Sequence, residues 1–125
     1  MGKFLRGSGG VLFVVVGLVG ALNASPFAAA AEPVEKNYKK LCRPCHGDDG
    51  SGKGAAAGVL DKHPGDFTDC VAMKALTHDF LVKIISEGGA GVGRSSQMPA
   101  SAKKLSTEEI GELATYISTH FCKDR

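Results

Sequence analysis

Two cysteines three positions apart are followed at once by a histidine in the segment Cys42-Arg43-Pro44-Cys45-His46. On a helix, positions i, i+3 and i+4 lie on one face, so both thiols and the imidazole would point the same way. Such thiols can form thioethers to the vinyl groups of a porphyrin, and a neutral histidine nitrogen can then bind the iron. The spacing predicts one covalent c-type haem on Cys42 and Cys45, with His46 as proximal ligand. A carbonyl near Pro64 is expected to accept the outer N–H of that histidine.

The same Cys-x-x-Cys spacing also serves zinc sites and thioredoxin-like redox enzymes. A zinc site needs four ligands and usually a second close pair, but Cys70 and Cys122 are far apart in the sequence. The other histidines form no H-x₃₋₅-H pair; they are His63, His78 and His120. A thioredoxin-like site lies between a strand and a helix, and no convincing buried strand follows residue 31. Haem attachment is the favoured interpretation, with zinc and dithiol chemistry as alternatives.

A methionine near the end of the chain has the surroundings of a metal ligand. Met98 lies in Ser96-Gln97-Met98-Pro99-Ala100, where its neighbours are polar, small or proline, whereas Met73 is expected to fill the core. A thioether is a soft neutral ligand, and a histidine–methionine pair raises the reduction potential of haem iron. We expect Met98 to be the sixth ligand. The alternative is a bis-histidine site that uses His63, His78 or His120.

The elements around these residues are helical. An apolar stripe at helical spacing predicts a first helix from Val34 to Arg43, which Pro44 should end. The glycine-rich segment 47–58 lacks the Gly-Lys-Ser/Thr ending of a phosphate loop, because Lys53 is followed by glycine. We expect its glycines to pass close to the haem edge, where a Cβ atom would collide.

Two further helices have clear end signals. Thr77 is placed to cap the start of the first of them, and Gly88-Gly89 should stop it. Ser106 and Glu109 match a capping box for the last helix, which runs to the end of the chain. Its only neighbours would be the first helix and the haem, so the two terminal helices should cross.

The first 31 residues have the order of a secretory signal. Lys3 and Arg6 precede an apolar run over residues 11–22, and four alanines occupy positions 28–31. The run is about 12 residues long, whereas crossing a bilayer takes about 20. We therefore expect cleavage after Ala31 or one residue earlier, with a membrane anchor as the alternative, and a single periplasmic haem domain over residues 32–125.

Composition limits what that domain can do. Once Lys3 and Arg6 have left with the signal, 13 basic residues balance 13 acidic ones, so no attraction to nucleic acid or to a membrane surface is expected. The domain keeps only five aromatic residues beside eleven glycines. Such a core is thin, and we expect an enclosed porphyrin to supply the missing apolar bulk. In an exported chain, Cys70 and Cys122 favour a disulfide, with two free thiols as the alternative.

The ordered set of motifs resembles the class I c-type cytochromes, which are small periplasmic electron carriers with one haem. The resemblance covers residues 32–125 and rests on the segments 42–47, 97–99 and 113–117. It implies an all-α fold of three main helices around one haem c, with Cys42 and Cys45 as thioether sites. It also implies His46 and Met98 as axial ligands. The pairing of Cys70 with Cys122 is not part of this family pattern.

The resemblance implies electron transfer rather than catalysis. We expect a monomeric carrier that exchanges one electron with transient protein donors and acceptors, and that has no stable membrane insertion once the signal is removed. One alternative is a haem subunit of a larger respiratory dehydrogenase or oxidase. Another is a sensor of a gas or peroxide, if Met98 is not a stable ligand. Lysines that could flank the haem edge and steer acidic partners are Lys53, Lys62, Lys103 and Lys104.

Overall fold

A computed structural model describes residues 32–122, and within this range it contains α-helices and no β-strand. The predicted all-α class is confirmed. The predicted signal segment lies outside the described residues. No helix in the described range is long and apolar enough to cross a membrane. The helices are α1 (Val34–Leu41), α2 (Arg43–His46), α3 (Cys70–Lys74), α4 (His78–Glu87) and α5 (Thr107–His120), with 3₁₀ turns at Ala57–Val59 and Ala90–Val92.

The first predicted helix is divided in the structure. Helix α1 ends at Leu41, and a separate turn of helix, α2, begins at Arg43 and includes Pro44. The prediction that Pro44 ends the helical segment was therefore wrong. Proline is tolerated in a first helical turn because the backbone N–H that it lacks has no partner inside the helix there. The break at Cys42 lets the short helix α2 carry Cys45 and His46.

The predicted ends of α4 and α5 are confirmed. The Thr77 hydroxyl accepts a hydrogen bond from the backbone N–H of Phe80 at 3.1 Å, which caps α4. Gly88 ends that helix with a φ of 77°, a conformation that glycine adopts readily. At α5, Ser106 Oγ accepts from the Glu109 N–H at 3.2 Å, and a Glu109 carboxylate oxygen accepts from the Ser106 N–H at 2.9 Å.

Helix α5 is the centre of the packing, because it contacts both α1 and α4. The predicted contact between the terminal helices includes a ring contact of Tyr38 with Tyr116, whose centroids lie 5.5 Å apart. The Asn37 side chain also donates to the Glu109 carboxylate at 3.3 Å. The buried residues that α4 and α5 contribute to the core are Leu81, Ile85, Ile110, Leu113, Ala114 and Ile117.

Helix α3 was not predicted from the sequence. The Asp69 carboxylate caps it by accepting from the N–H groups of Val71 and Ala72, at 3.1 and 3.0 Å. Aspartate is a strong N-cap residue, but the helix has only five residues and no full apolar repeat. Met73 of this helix is 3% exposed and belongs to the core, as predicted.

Candidate functional site

A cavity of about 410 Å³ lies beside α2, α4 and α5. All four predicted haem-binding residues line it; they are Cys42, Cys45, His46 and Met98. The cavity's volume lies within the range of small-molecule and cofactor pockets. Its apolar walls are formed by Leu41, Leu60, Phe67, Leu76, Phe80, Leu81, Ile84, Ile85 and Ile117. The fold therefore brings residues that are 53 positions apart in the sequence, Cys45 and Met98, to one apolar space.

The two thiols of α2 and its preceding turn are free and half-buried. Burial, with a smaller contribution from the neighbouring Cys45, raises the pKa of the Cys42 thiol to about 11. Nucleophilic dithiols of the thioredoxin kind depend on a lowered thiol pKa. The environment of Cys42 therefore does not favour the dithiol alternative, while thioether formation needs only that both thiols face the porphyrin edge.

The buried side chain of His46 has a defined ring orientation. Its Nδ1 lies 3.0 Å from the carbonyl oxygen of Gly65, which can only accept a hydrogen bond, so Nδ1 carries the proton. Burial also lowers the pKa of His46, which favours the neutral ring. The lone pair of that ring is then on Nε2, the atom that can bind a metal. The acceptor is the residue after Pro64, in agreement with the predicted carbonyl near that position.

Met98 lies in a loop that is fixed at both sides. Its carbonyl oxygen accepts from the Gly89 N–H at 3.0 Å, directly after the end of α4. The neighbouring Gln97 side chain accepts from the Asp61 N–H at 2.8 Å, 36 residues away in the sequence. Because Gln97 and residues 60, 62 and 63 all line the cavity, this bond joins two edges of the opening.

The histidines that would give a bis-histidine site are not equivalent. His63 lines the cavity, whereas His78 and His120 are not among its lining residues. The Nε2 atom of His78 lies 3.3 Å from the Gly111 carbonyl oxygen, and the His120 ring stacks on Tyr116 with a centroid distance of 4.4 Å. Of the alternatives to Met98, only His63 therefore lies at the cavity.

The glycine-rich segment does not have the role expected from the sequence. No residue of 47–58 is among those that line the cavity, so the prediction that these glycines pass the haem edge was wrong. The segment is instead packed against the protein itself. A Cβ atom on Gly50, which has a φ of +74°, would lie 2.6 Å from the Phe121 ring, and one on Gly52 would lie 2.6 Å from the Pro64 carbonyl oxygen.

Among the residues described, the charged side chains that line the cavity are all basic. They are Lys62, Arg94 and Lys104. The other two lysines that were expected to flank the haem edge, Lys53 and Lys103, do not line the cavity. Arg94 was not predicted, and its guanidinium carbon lies 5.3 Å from the centre of the Phe80 ring, within the range of a cation–π contact.

Cys70 and Cys122 come together on the proximal side of the site. Their sulfur atoms lie at bonding distance, and their Cα atoms are 5.4 Å apart, within the span of about 4.4 to 6.8 Å that disulfides bridge. Sequence reasoning found this pair. It did not identify Phe67, whose side chain lies between this pair and His46, because nothing in the sequence marks this phenylalanine as part of the site.

The donor set fits a covalent haem. Two free thiols, a neutral buried imidazole and a thioether surround one apolar space, and these are soft or borderline ligands suited to haem iron. A structural zinc ion would need a cluster of three or more His, Cys, Asp or Glu side chains. Residues 32–122 contain no such cluster.

Comparisons with known proteins agree with the fold. The solved structure of the KustC0563 c-type cytochrome matches 74% of this chain and 100% of its own, with a TM-score of 0.59 and 24% sequence identity. It shares the fold. The search of curated proteins gave no match.

Taken together, the helical fold and a cavity ringed by two thiols, a histidine and a methionine define a small c-type cytochrome. The model of one family matches residues 29–117, which is most of the chain. That family is described as cytochrome c oxidase, cbb3-type, subunit III, and the chain belongs to it.

Proposed function

We propose that the protein is a periplasmic one-electron carrier with a single haem c. Cys42 and Cys45 would hold the porphyrin through thioethers, and His46 and Met98 would bind its iron. The observation that carries this proposal is that these four side chains, predicted from the sequence alone, line one apolar cavity. Membership of a c-type cytochrome family supports it.

The chain's own residues prepare the site for electron transfer. When bound, the haem supplies an iron that gains and loses one electron. The Gly65 carbonyl keeps the proton of His46 on Nδ1 and so directs Nε2 to the metal position. The loop bonds of Met98 and Gln97 fix the opposite side. Two ligands that the protein holds in place would let the iron change oxidation state with little movement of the surrounding side chains.

The surface around the cavity suits a transient partner. Lys62, Arg94 and Lys104 give this edge a positive charge, and Val59, next to the cavity-lining Leu60, is 82% exposed. An exposed apolar residue close to cavity-lining basic side chains fits a small docking area with electrostatic steering. We propose that the donor and acceptor proteins present acidic surfaces here.

The experiment that tests the proposal combines haem attachment with redox titration. The wild-type chain and a Cys42→Ser/Cys45→Ser variant are produced with the haem attachment machinery, denatured and extracted with acidified organic solvent. We expect the haem to stay on the wild-type polypeptide and to be lost from the variant. The wild type should then titrate as a single one-electron couple. Extractable haem, more than one haem per chain or a two-electron titration would overturn the proposal.

A second candidate is a haem subunit of a larger complex. The observation that favours it is the description of the matching family as a subunit of a cbb3-type cytochrome c oxidase. Fractionation of the native cells separates the candidates. A carrier is released with the periplasmic contents as a monomer, whereas a subunit stays with the membrane and elutes from a sizing column together with other chains after mild solubilisation.

A further inference from the structure

An aromatic ring lies flat against the proximal histidine. The Phe67 ring stacks on the imidazole of His46 with a centroid distance of 4.3 Å and an angle of 14° between the planes. Both side chains are buried, with exposed fractions of 8% and 9%. A stacked ring restricts rotation of the imidazole about its long axis, because any rotation would drive one face into the neighbour. Phe67 also covers the ring that donates to Gly65.

Phe67 is itself held from two directions. Its backbone N–H donates to the Gly50 carbonyl oxygen at 2.7 Å. Its ring packs on Phe121, with centroids 5.7 Å apart. Phe121 in turn fills the space above Gly50, where a Cβ atom would lie 2.6 Å from its ring. One packed group therefore lies against the face of the His46 ring that Phe67 covers; its members are Gly50, Phe67 and Phe121.

The cysteine pair joins the two segments that carry these rings. Cys70 follows Phe67 by three residues, and Cys122 directly follows Phe121. The Cys122 sulfur also lies 3.3 Å from the Phe67 carbonyl oxygen. A bond between the two sulfurs fixes residues 67 and 121 at their contact distance, although 54 positions separate them in the sequence.

We propose that Phe67 is a positioning residue for His46, and that the Cys70–Cys122 disulfide holds Phe67 in place. This inference rests on the proposed function, in which His46 binds the haem iron. In this arrangement the disulfide acts on the haem site through the packed rings of Phe121 and Phe67 rather than through direct contact with His46. Phe67 sets the orientation of the imidazole plane and covers one face of the ring that donates to Gly65.

Loss of the Phe67 ring has two expected consequences. The imidazole plane gains freedom to rotate, which changes the magnetic anisotropy of the ferric site. The part-buried Nδ1–H···O bond becomes more accessible to water, so its proton exchanges faster. Greater solvent access also stabilises the more highly charged ferric state, so the midpoint potential falls.

The test uses the holoprotein and the substitution Phe67→Leu, with Tyr116→Leu as the matched control. Tyr116 belongs to the same aromatic cluster but its ring contacts Tyr38, His120 and Phe121 rather than His46. For Phe67→Leu we expect altered ferric EPR g-values, a lower midpoint potential and at least a tenfold faster exchange of the His46 Nδ1–H in the ferrous NMR spectrum. The control should keep wild-type values in all three, and Phe67→Tyr, which keeps an aromatic face, should do the same.

The disulfide is tested by the double variant Cys70→Ala/Cys122→Ala. We expect the same changes in the same direction as for Phe67→Leu, because the ring is no longer held. This variant also tests the inference if Phe67→Leu does not fold. Wild-type g-values, potential and exchange rate in a folded Phe67→Leu or in the double variant would overturn it.

Failure of the inference can be told from failure of the proposed function by haem content. A wild-type chain that binds no covalent haem overturns both. A wild-type chain with a covalent low-spin haem, together with variants that are indistinguishable from it, overturns the positioning role alone. A Tyr116→Leu control that changes as much as Phe67→Leu would also overturn it, because the effect would then belong to the cluster as a whole.

Discussion

At the scale of single residues, the chemistry of His46 depends on a backbone carbonyl 19 positions away. The Gly65 carbonyl oxygen accepts a hydrogen bond from the Nδ1–H at 3.0 Å and leaves Nε2 free for a metal. The histidine could be found from the sequence because its role is tied to residue type and to the spacing from Cys42 and Cys45. The hydrogen bond from its ring to a carbonyl near Pro64 was also predicted, whereas the stacking of Phe67 on the ring was not, since phenylalanine at that position has no distinctive pattern.

Met98 gives the most direct residue-scale prediction. Replacement by Ala removes the thioether from the cavity, so the reduced protein should bind carbon monoxide and lose its low-spin spectrum, with a lower midpoint potential. The control is Met73→Leu, which changes a buried methionine that does not line the cavity. It should lower thermal stability while leaving the spectrum unchanged. A Met98→Ala protein with a wild-type spectrum would point to His63 as the ligand.

At the scale of secondary-structure elements, Glu109 connects the cap of α5 to α1. Its carboxylate accepts from the Ser106 N–H, the Asn37 side chain and the Glu32 N–H. The Ser106 N–H and the other hydrogen bonds hold the pKa of Glu109 below its usual value. A carboxylate with a lowered pKa in the folded state stabilises the fold at pH values above its unfolded pKa of about 4.3. That stabilisation is lost as the pH falls through the folded pKa.

We therefore predict that the melting temperature of Glu109→Gln falls less than that of the wild type when the pH is lowered from 7 to below 5. Glutamine can still complete the capping box, so the change isolates the charge. The melting temperature is measured between pH 7 and pH 3, with Glu108→Gln as the control for removing a carboxylate from the same helical turn. Equal pH dependence in the two variants would contradict the role assigned to Glu109.

Gly88 follows α4, and Gly111 lies within α5. Substitution by alanine should change the stability of the protein in opposite directions at these two positions. Gly111 lies inside α5, and a Cβ atom there would meet no other atom within 4 Å. Gly111→Ala should stabilise the protein by about 0.5 to 1 kcal/mol. Gly88 has a φ of +77°, and its Cβ would lie 2.7 Å from the Met98 carbonyl oxygen, so Gly88→Ala should destabilise it. Thermal or denaturant unfolding checks both signs.

The helix ends illustrate which elements a sequence can predict. The caps at Thr77, Gly88 and Ser106 were predicted because each is a local hydrogen-bonding pattern within a few residues. The division between α1 and α2 was not, since proline is compatible both with ending a helix and with beginning one. Helix α3 was missed because a five-residue helix has too short an apolar pattern, and its position depends on the contact of Cys70 with Cys122.

At the scale of the whole molecule, the buried core forms part of the cavity wall. Leu81, Ile85 and Ile117 belong to the buried core and also line the space of about 410 Å³. Composition predicted a thin core that needs a porphyrin, and the cavity walls agree with that expectation.

The glycine-rich segment shows where composition misleads, because glycine permits close packing against any neighbour and does not indicate which one. At Gly50, for example, the close neighbour is the Phe121 ring.

The basic edge of the cavity predicts how the molecule exchanges electrons with small reagents. Oxidation by an anionic reagent such as ferricyanide should slow as ionic strength rises, and oxidation by a cationic cobalt complex should accelerate. Lys62→Glu/Lys104→Glu should weaken or reverse both trends. The control is Lys83→Glu, a substitution on α4 of an exposed lysine that does not line the cavity. Stopped-flow rates at several salt concentrations give the comparison, and an equal effect of all variants would contradict electron exchange at this edge.

The central claim is that one covalent haem is held by Cys42, Cys45, His46 and Met98. The most direct measurement is the visible spectrum of the purified protein in its oxidised and reduced forms, followed by addition of carbon monoxide to the reduced form. We predict a sharp low-spin reduced spectrum that carbon monoxide does not change. A high-spin spectrum that shifts with the gas would contradict ligation by Met98, and the absence of haem absorbance in protein made with the attachment machinery would contradict the account as a whole.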